Sequence, residues 1–333
     1  SAHHLRSNLQ NTNALDPKYL TLGDTLFADI DSPAAQAAGV RRPYPSFTGP
    51  VFQALRPFPQ YNFINTDCCL ENIGNATYNS LQVKLERRFR QGLNLLAAYT
   101  FSKTITDADS ALPIFATFSG GGGTQNPYDR RNEKSISNQD IPHALVVSYI
   151  YELPVGEGKA LNPGNKVASK LVSGWQVGAV HRYQSGQPMS FCCAGGPPAQ
   201  GSVRFNQVPG VDILSAAAKS GDFDPLSDVY FNRAAFADPN AGRAPADPFR
   251  FGTMARTLGN VRGFKFFNED VSLIKKTRIK EAVTLEFRTE MFNVFNRVVL
   301  RRPITDVNAG DFGRIYGTST NPRTIQFALK LLF

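Results

Sequence analysis

Long stretches of the chain alternate between apolar and polar residues with a period of two. In "YNSLQVKLERRF" (78–89) the apolar residues fall on one face of an extended strand, and "RTIQFALKLLF" (323–333) repeats the pattern. Successive side chains point to opposite faces of a strand, so this period predicts strands with one apolar and one polar face. Five further stretches show the alternation and bring the predicted strands to seven: 93–103, 143–153, 174–186, 264–276 and 282–293.

The connections between the predicted strands alternate in length. Those at 90–92 and 277–281 are short, and 154–172 is of intermediate length. The long ones are 104–140, 186–263 and 294–322. An outer-membrane barrel combines short periplasmic turns with long outer loops, and strands of about 10 to 13 residues exceed the five or six usual in soluble sheets. We predict an all-β fold of antiparallel transmembrane β-barrel strands with long extracellular loops; a soluble sheet with one wet face is the alternative.

The two faces of the predicted strands suit two environments. One face is apolar with aromatic residues near its ends, as contact with lipid and its interfaces requires. Charged residues on the other face would be costly in hydrocarbon but are at home in a wet lumen. We therefore predict that the following residues face the lumen: Lys84, Glu86, Arg88, Arg182, Glu286, Arg288, Glu290 and Lys330.

Composition narrows the classes of partner. The net charge is +9, but the 36 Lys and Arg residues are spread along the 333 residues without a run of five. Zinc-finger spacing, a basic helix and an aromatic RNA-binding motif are not found, so nucleic acid is not an expected partner. No apolar run approaches the roughly 18 residues that a membrane-spanning helix needs. The chain starts with Ser1 and lacks a leader pattern, and we expect it to be part of a longer protein, cut on its N-terminal side.

Four stretches resemble the C-terminal barrel of TonB-dependent outer-membrane receptors, most of all the Oar-like branch. They are "NATYNSLQVKLERRFRQGLNLLAAYTFSK", "DIPHALVVSYIYELPVGEGK", "GWQVGAVHRYQSGQP" and "LEFRTEMFNVFNR". The resemblance implies that 1–333 is the C-terminal part, about a third, of a barrel of 22 strands. It also implies a plug and an N-terminal domain in the complete protein. Neither a plug nor a TonB box is visible in this chain, so energy coupling is assigned to no residue of it.

The last residues carry a second point of resemblance. Outer-membrane barrels end in a strand of alternating apolar residues with a terminal aromatic, which the barrel assembly machinery recognises. Phe327, Leu329, Leu331 and Phe333 match that signal. The last strand must also close the barrel, because an unpaired edge in lipid leaves backbone groups unsatisfied.

The four cysteines form two adjacent pairs, Cys68–Cys69 and Cys192–Cys193. Both pairs fall in connections expected on the oxidising outer side, which favours disulfides. A bond between the pairs would tether two long loops, and a bond within each pair is the rival arrangement; sequence does not choose between them. A zinc or copper site is a third alternative, although neighbouring residues in a strand point apart and chelate poorly.

Other candidate chemistry is weak, and we expect neither an enzyme nor a cofactor. The acidic stretches "DADS" (107–110) and "DFDPLSD" (222–228) lack the full spacing of a calcium loop. The glycine run 119–123 lacks the Lys-Ser/Thr of a phosphate loop. The four histidines show no metal-binding spacing, and no Ser-His-Asp order or nucleophile elbow is present.

Three hypotheses of function follow. The first is TonB-dependent transport of a large or scarce substrate through the outer membrane. The second is a surface-binding or adhesive barrel without active transport, in which 186–263 does the work. The third is a soluble β-rich binding domain. The partners expected for the first are outer-membrane lipid, the barrel assembly machinery, an extracellular ligand of unknown identity, and the TonB complex through the N-terminal part of the protein.

Overall fold

The structure is a computed structural model that describes residues 1–5, 13–62, 64, 74–108, 124–198, 203–280 and 282–333. The strands in these residues are β1 (Ala2–Leu5), β2 (Gly74–Arg90), β3 (Leu93–Thr106), β4 (Ser135–Ile136), β5 (His143–Glu152), β6 (Trp175–Gln184), β7 (Pro188–Met189), β8 (Asn206–Gln207), β9 (Phe236–Ala237), β10 (Leu258–Arg262), β11 (Phe266–Lys280), β12 (Val283–Phe292) and β13 (Thr324–Leu332).

The helices are short. The α-helices in the described residues are α1 (Pro33–Ala37), α2 (Val51–Ala54), α3 (Lys166–Val172) and α4 (Ala216–Ser220). Three 3-10 helices span Pro17–Phe27, Arg130–Glu133 and Arg233–Ala235. None of these helices has both the length and the apolar character needed to cross a membrane.

One antiparallel sheet organises the chain. Its strand order is β1-β2-β3-β5-β6-β11-β12-β13, so each of the seven long strands pairs with the next long strand in sequence. Within the described residues the sheet is open, with β1 and β13 at its edges. The seven long strands are those that the alternation predicts, and all their pairings are antiparallel.

Two of the turns are tight, and one of them differs from the expected length. Residues 91–92 join β2 to β3, with positive φ at Gln91 (53°) and Gly92 (78°), the conformation of a two-residue hairpin turn. The short connection predicted at 277–281 is wrong in length, because β11 continues to Lys280. The period of two persists through Thr277 and Ile279 beyond the stretch that defined the strand, so pairing with β12 continues.

The opposite end of the sheet carries a folded cap built from the long connections. We define the cap as residues 13–62, 124–142, 186–198, 203–264 and 293–323. One hydrophobic core in it joins residues from 189–261 with Val307 and Phe312. A second core packs the N-terminal segment around Leu15, Leu26 and Val51 against Phe249. The loops are therefore a compact layer and not separate extended connections.

Candidate functional site

A concavity of about 590 Å³ lies on the polar face of the sheet. Side chains from strands at both ends of the sheet order line it, with Lys84 and Glu86 on β2 and Glu290 on β12. Asp270 and Ser148 line it from strands between them. A flat sheet would hold β2 and β12 several strand widths apart, so the sheet curves around this face.

Strand register shows that the polar residues form one continuous surface. Glu286 lies opposite Lys330, and Glu290 lies opposite Gln326. Lys84 and Glu86 are opposite Ala98 and Leu96 of β3. All eight residues predicted to face a lumen are on this face: Lys84, Glu86, Arg88, Arg182, Glu286, Arg288, Glu290 and Lys330. Arg182 stands apart from the others and lies over the ring of Phe266, 5.6 Å from its centroid.

The charges of this face are arranged in two groups of ion pairs. On β2, Glu86 binds the ammonium of Lys84 at 2.9 Å and Nε of Arg88 at 3.0 Å. These side chains are largely exposed, and exposed pairs contribute only about 0–1 kcal/mol to stability. Their effect is instead to hold carboxylates and cations side by side on a hydrophilic wall.

The second group lies on β11 and β12 and is more enclosed. The Glu286 carboxylate is nearly buried and meets Arg288 at 3.0 Å and Lys276 at 3.8 Å. Arg288 also contacts Glu290 at 3.3 Å, and Gln326 donates to the other oxygen of Glu290. Arg288 therefore bridges two carboxylates and fixes the spacing of charge along the strand.

Sequence reasoning did not name several polar residues of this face. Asp270, Asn94 and Ser148 line the concavity, and Lys276 pairs with Glu286. The alternation contained a signal for Asp270, because it is two residues from Ser272 on the face opposite Val271. The alternation of 264–276 is less regular than that of the other predicted strands, which obscures this signal.

Glu269 interrupts the alternation of this strand, since its charge lies on the same face as the apolar Val271 and Leu273. The carboxylate is 1% exposed, and Nε of Arg297 donates to its two oxygens at 2.9 and 2.8 Å. The Arg297 guanidinium lies over the rings of Phe267 and Phe295. A buried carboxylate needs such a partner because desolvation of an unpaired charge is very costly.

The remaining apolar face is exposed along its length. Leu81, Leu85 and Phe327 have 60%, 59% and 71% of their surface exposed. Leu81 and Leu85 are on β2 and Phe327 is on β13, so the exposed apolar face extends from one end of the sheet to the other. A contiguous exposed apolar surface of this extent is typical of a membrane-facing surface and not of a soluble sheet.

The cap is attached to the strand ends by buried polar contacts. Arg262 binds Asp140 at 2.8 Å, and the other Asp140 oxygen accepts the backbone N–H of Thr104 at 2.7 Å. Arg256 donates to the Thr106 carbonyl at the end of β3 at 2.8 Å. These contacts attach the cap to the ends of the strands.

A second buried network joins two of the long connections to each other. Arg204 binds Glu133 at 2.9 Å, and both side chains are almost fully buried. Gln125 donates to the Gly252 carbonyl and its side-chain oxygen accepts the backbone N–H of Arg204. Nearby in the cap, burial raises the pKa of the Tyr230 hydroxyl. This network therefore ties 124–133 to 204–252 through buried polar contacts.

The structure joins Cys192 and Cys193 to each other as a vicinal disulfide. The Asp306 carboxylate lies within 4.8 Å of both sulfurs. Oxidised sulfurs are poor metal ligands because the thiolate is the binding form, so this group does not have the donors of a zinc or copper site. Cys68 and Cys69 lie outside the described residues, as do 109–110 of the first acidic stretch and the glycine run.

The second acidic stretch forms an ordinary turn. The Asp224 side chain accepts the backbone N–H of Leu226 at 3.0 Å and the Ser227 hydroxyl at 2.8 Å. These hydrogen bonds lower the pKa of the Asp224 carboxyl. Its oxygens are used within the turn, which explains the acidic residue without a bound cation.

The proposed terminal signal lies on the edge strand. Register places Phe327, Leu329 and Leu331 on the apolar face of β13, opposite residues of β12. All three are more than half exposed, and Phe333 is 96% exposed. Within the described residues the other edge of β13 has no partner. The backbone there is free to pair with another strand.

A protein-family model described as an outer membrane beta barrel domain matches residues 1–326. No protein among the curated sequences matches the chain. The family match accounts for the two faces of the sheet, with the apolar face toward lipid and the polar concavity toward the lumen. It locates the protein in the bacterial outer membrane. The short turns then mark the periplasmic end and the cap the outer surface.

Proposed function

We propose that this chain, which belongs to the outer membrane beta barrel domain family, forms the C-terminal part of a TonB-dependent receptor barrel of the Oar-like kind. The observation that carries the proposal is the combination of a concavity on the polar face of the sheet with a folded cap attached to the strand ends. The four stretches that resemble such receptors each contain residues of the long strands. Seven long strands are about a third of the 22 strands that the resemblance implies.

In this proposal the cap captures the substrate and the lumen passes it. The cap has its own hydrophobic cores, so its outer surface is preformed and needs little ordering when it binds. The Lys84–Glu86–Arg88 and Glu286–Arg288–Glu290 groups line the path with alternating charge. A wall of this kind stays hydrated and offers no continuous patch of one sign to trap a charged substrate.

Energy coupling in this proposal depends on parts of the protein beyond this chain. A plug would sit against the polar face, and the TonB complex would act through the N-terminal part. The barrel assembly machinery would recognise the apolar face of β13 and Phe333. Catalysis is not part of the proposal, and the barrel family points to a non-enzymatic role.

The alternative is a surface-binding or adhesive barrel without active transport. The size of the cap favours it, because its described residues form a layer with two hydrophobic cores. In this alternative the barrel anchors the protein in the membrane and the outer surface of the cap binds the partner. The family match speaks against the third hypothesis, a soluble β-rich domain.

A binding measurement with the periplasmic domain of TonB distinguishes the TonB-dependent receptor from the adhesive barrel. The intact protein, extracted from the outer membrane in detergent, is immobilised and the purified TonB domain of the same organism is passed over it. Saturable binding supports a TonB-dependent receptor. Absence of binding by protein that is folded, as judged by its heat-modifiable migration in gels, contradicts it and leaves the anchoring function.

A further inference from the structure

A groove of about 720 Å³ lies beside α3 at the periplasmic end of the sheet. Helix α3 belongs to the connection between β5 and β6, which the sequence predicts to be of intermediate length. Gly174 ends this connection with φ of +74°, and a Cβ there would lie 2.2 Å from the carbonyl oxygen of Lys276. The chain can therefore bend sharply from α3 into β6 only with glycine at this position.

Two residues of the sheet hold α3 against the lipid-facing side. Nζ of Lys275 donates to the carbonyls of Lys170, Leu171 and Ser173 at 2.8–3.2 Å. Nε1 of Trp175 donates to the Leu171 carbonyl at 3.0 Å. A lysine ammonium has three protons, so Lys275 is fully occupied as an anchor. Lys275 and Trp175 are opposite each other in register, on the apolar face of the sheet.

The outward side of α3 combines apolar and cationic residues. Val167 and Leu171 are one helical turn apart and are 70% and 65% exposed. Lys166 and Lys170 form the adjacent exposed stripe, while Ser169 is buried toward the protein. This arrangement is typical of a short helix that lies in a membrane interface, with lysines reaching toward headgroups.

The residues that line the groove carry a net positive charge. Three lysines line it: Lys166, Lys170 and Lys275. Among the described residues that line it, Glu157 is the one with a carboxylate. The apolar side chains of Val167 and Leu171 lie at its edge. The groove continues directly from the lipid-facing surface, because Lys275 and Thr277 of its wall are outward residues of β11.

We propose that this groove binds the headgroup of an anionic glycerophospholipid from the periplasmic leaflet. Lys166 and Lys170 contact the phosphate, and Val167 and Leu171 rest on the acyl chains. Each lysine close to an anionic lipid surface strengthens binding by about fivefold, so the pair gives a preference over a zwitterionic lipid of several-fold or more. The proposal rests on the outer-membrane location and not on transport.

The chain contains a single tryptophan, which supplies a local probe. Trp175 touches α3, so lipids with bromine atoms on their acyl chains quench its fluorescence when they occupy the groove. The intact protein is reconstituted in bilayers that mix unlabelled lipid with dibromo-phosphatidylglycerol or with dibromo-phosphatidylcholine. Subtracting the signal of a Trp175→Phe variant removes any contribution from tryptophans outside this chain.

We expect the anionic brominated lipid to quench Trp175 at several-fold lower mole fraction than the zwitterionic one. The double variant Lys166→Gln/Lys170→Gln should reduce that ratio to about one, while Lys166→Arg/Lys170→Arg retains it, which separates charge from folding. The matched control Lys134→Gln/Lys219→Gln removes two lysines from the outer end and should leave the ratio unchanged. The proposal would be overturned if the two lipids quench equally or if neither quenches. It would also be overturned if the preference for the anionic lipid survives Lys166→Gln/Lys170→Gln.

Discussion

Two neighbouring residues in the middle of β5 provide a direct test of the face assignment. Val147 points to the apolar side between Ala97 and His181, and Ser148 points to the polar side between Leu96 and Val180. The substitutions Val147→Arg and Ser148→Arg add the same side chain one residue apart. Only the face differs between them.

The expected magnitude follows from depth in the membrane. Strand β5 has 10 residues, which span about 34 Å along the strand and about 24 Å along the membrane normal at a tilt of about 45°. Position 147 is in the middle of that span, near the midplane. An arginine facing lipid there costs about 2–4 kcal/mol, which is a factor of about 30 to several hundred in the folding equilibrium.

The arginine at 148 meets a different environment. Ser148 lines the concavity together with three carboxylates, those of Glu86, Asp270 and Glu290, and one lysine, Lys84. A guanidinium there gains hydration and opposite charges, and its net cost should be below about 1 kcal/mol.

Urea titration of the refolded proteins in lipid vesicles, followed by heat-modifiable gel migration, measures both variants. Val147→Leu serves as the apolar control for a change of size. We expect Val147→Arg to lower the unfolding free energy by about 2–4 kcal/mol and Ser148→Arg to leave it nearly unchanged. Equal losses in the two variants, or a larger loss for Ser148→Arg, would refute the assignment of lumen and lipid faces.

Three further predictions concern the cap and one the terminus. Phe333→Asp should reduce the amount of folded protein in the outer membrane, as measured by surface labelling, and a normal amount would show that the last residue is not an assembly signal. Mass spectrometry without reduction should find the peptide with Cys192 and Cys193 two hydrogens lighter than its dithiol; two alkylatable thiols in fresh protein would contradict the vicinal bond. Glu133→Gln leaves a buried arginine without its carboxylate and should cost about 3–5 kcal/mol, seen as protease sensitivity of the cap at lower urea; unchanged protection would mean that the pair is dispensable. The lowered pKa of Asp224 means that the hydrogen bonds of its turn are fully stabilising above the unfolded value of 3.8 and are lost as the pH falls through the folded pKa. The protection of the turn amides, relative to the intrinsic exchange rate at each pH, should therefore fall below about pH 4, and protection that does not change with pH would contradict this.

The sheet could be predicted from sequence because its signal is local. Leu81, Val83 and Leu85 repeat at a spacing of two, and the register of the strand is fixed once one face is apolar. Neighbouring strands in the sheet are also consecutive among the long strands of the chain, so no pairing had to be chosen between distant candidates. The prediction was weakest for β11, where Glu269 interrupts the apolar face.

The cap could not be predicted, because its contacts join distant segments. Nothing in the residues around Phe312 indicates that it packs with Phe191 and Phe231, more than 80 residues earlier. The partner of Glu269 is equally hidden, since Arg297 reaches it through the chain reversal after β12. A local signal for α3 was present, because Asn165 is a favourable residue at a helix N-cap and its side chain caps α3.

The order of strands in the sheet has a consequence for assembly. Consecutive pairing allows the sheet to grow one strand at a time, and the first hairpin closes through the two-residue turn at 91–92. Both cores of the cap combine segments that are separated by one or more strands of the sheet. The entropic cost of bringing these segments together falls only after the strands between them have paired. The cap therefore condenses last, on the outer side of an inserted sheet, and its apolar residues cross the membrane before they are buried.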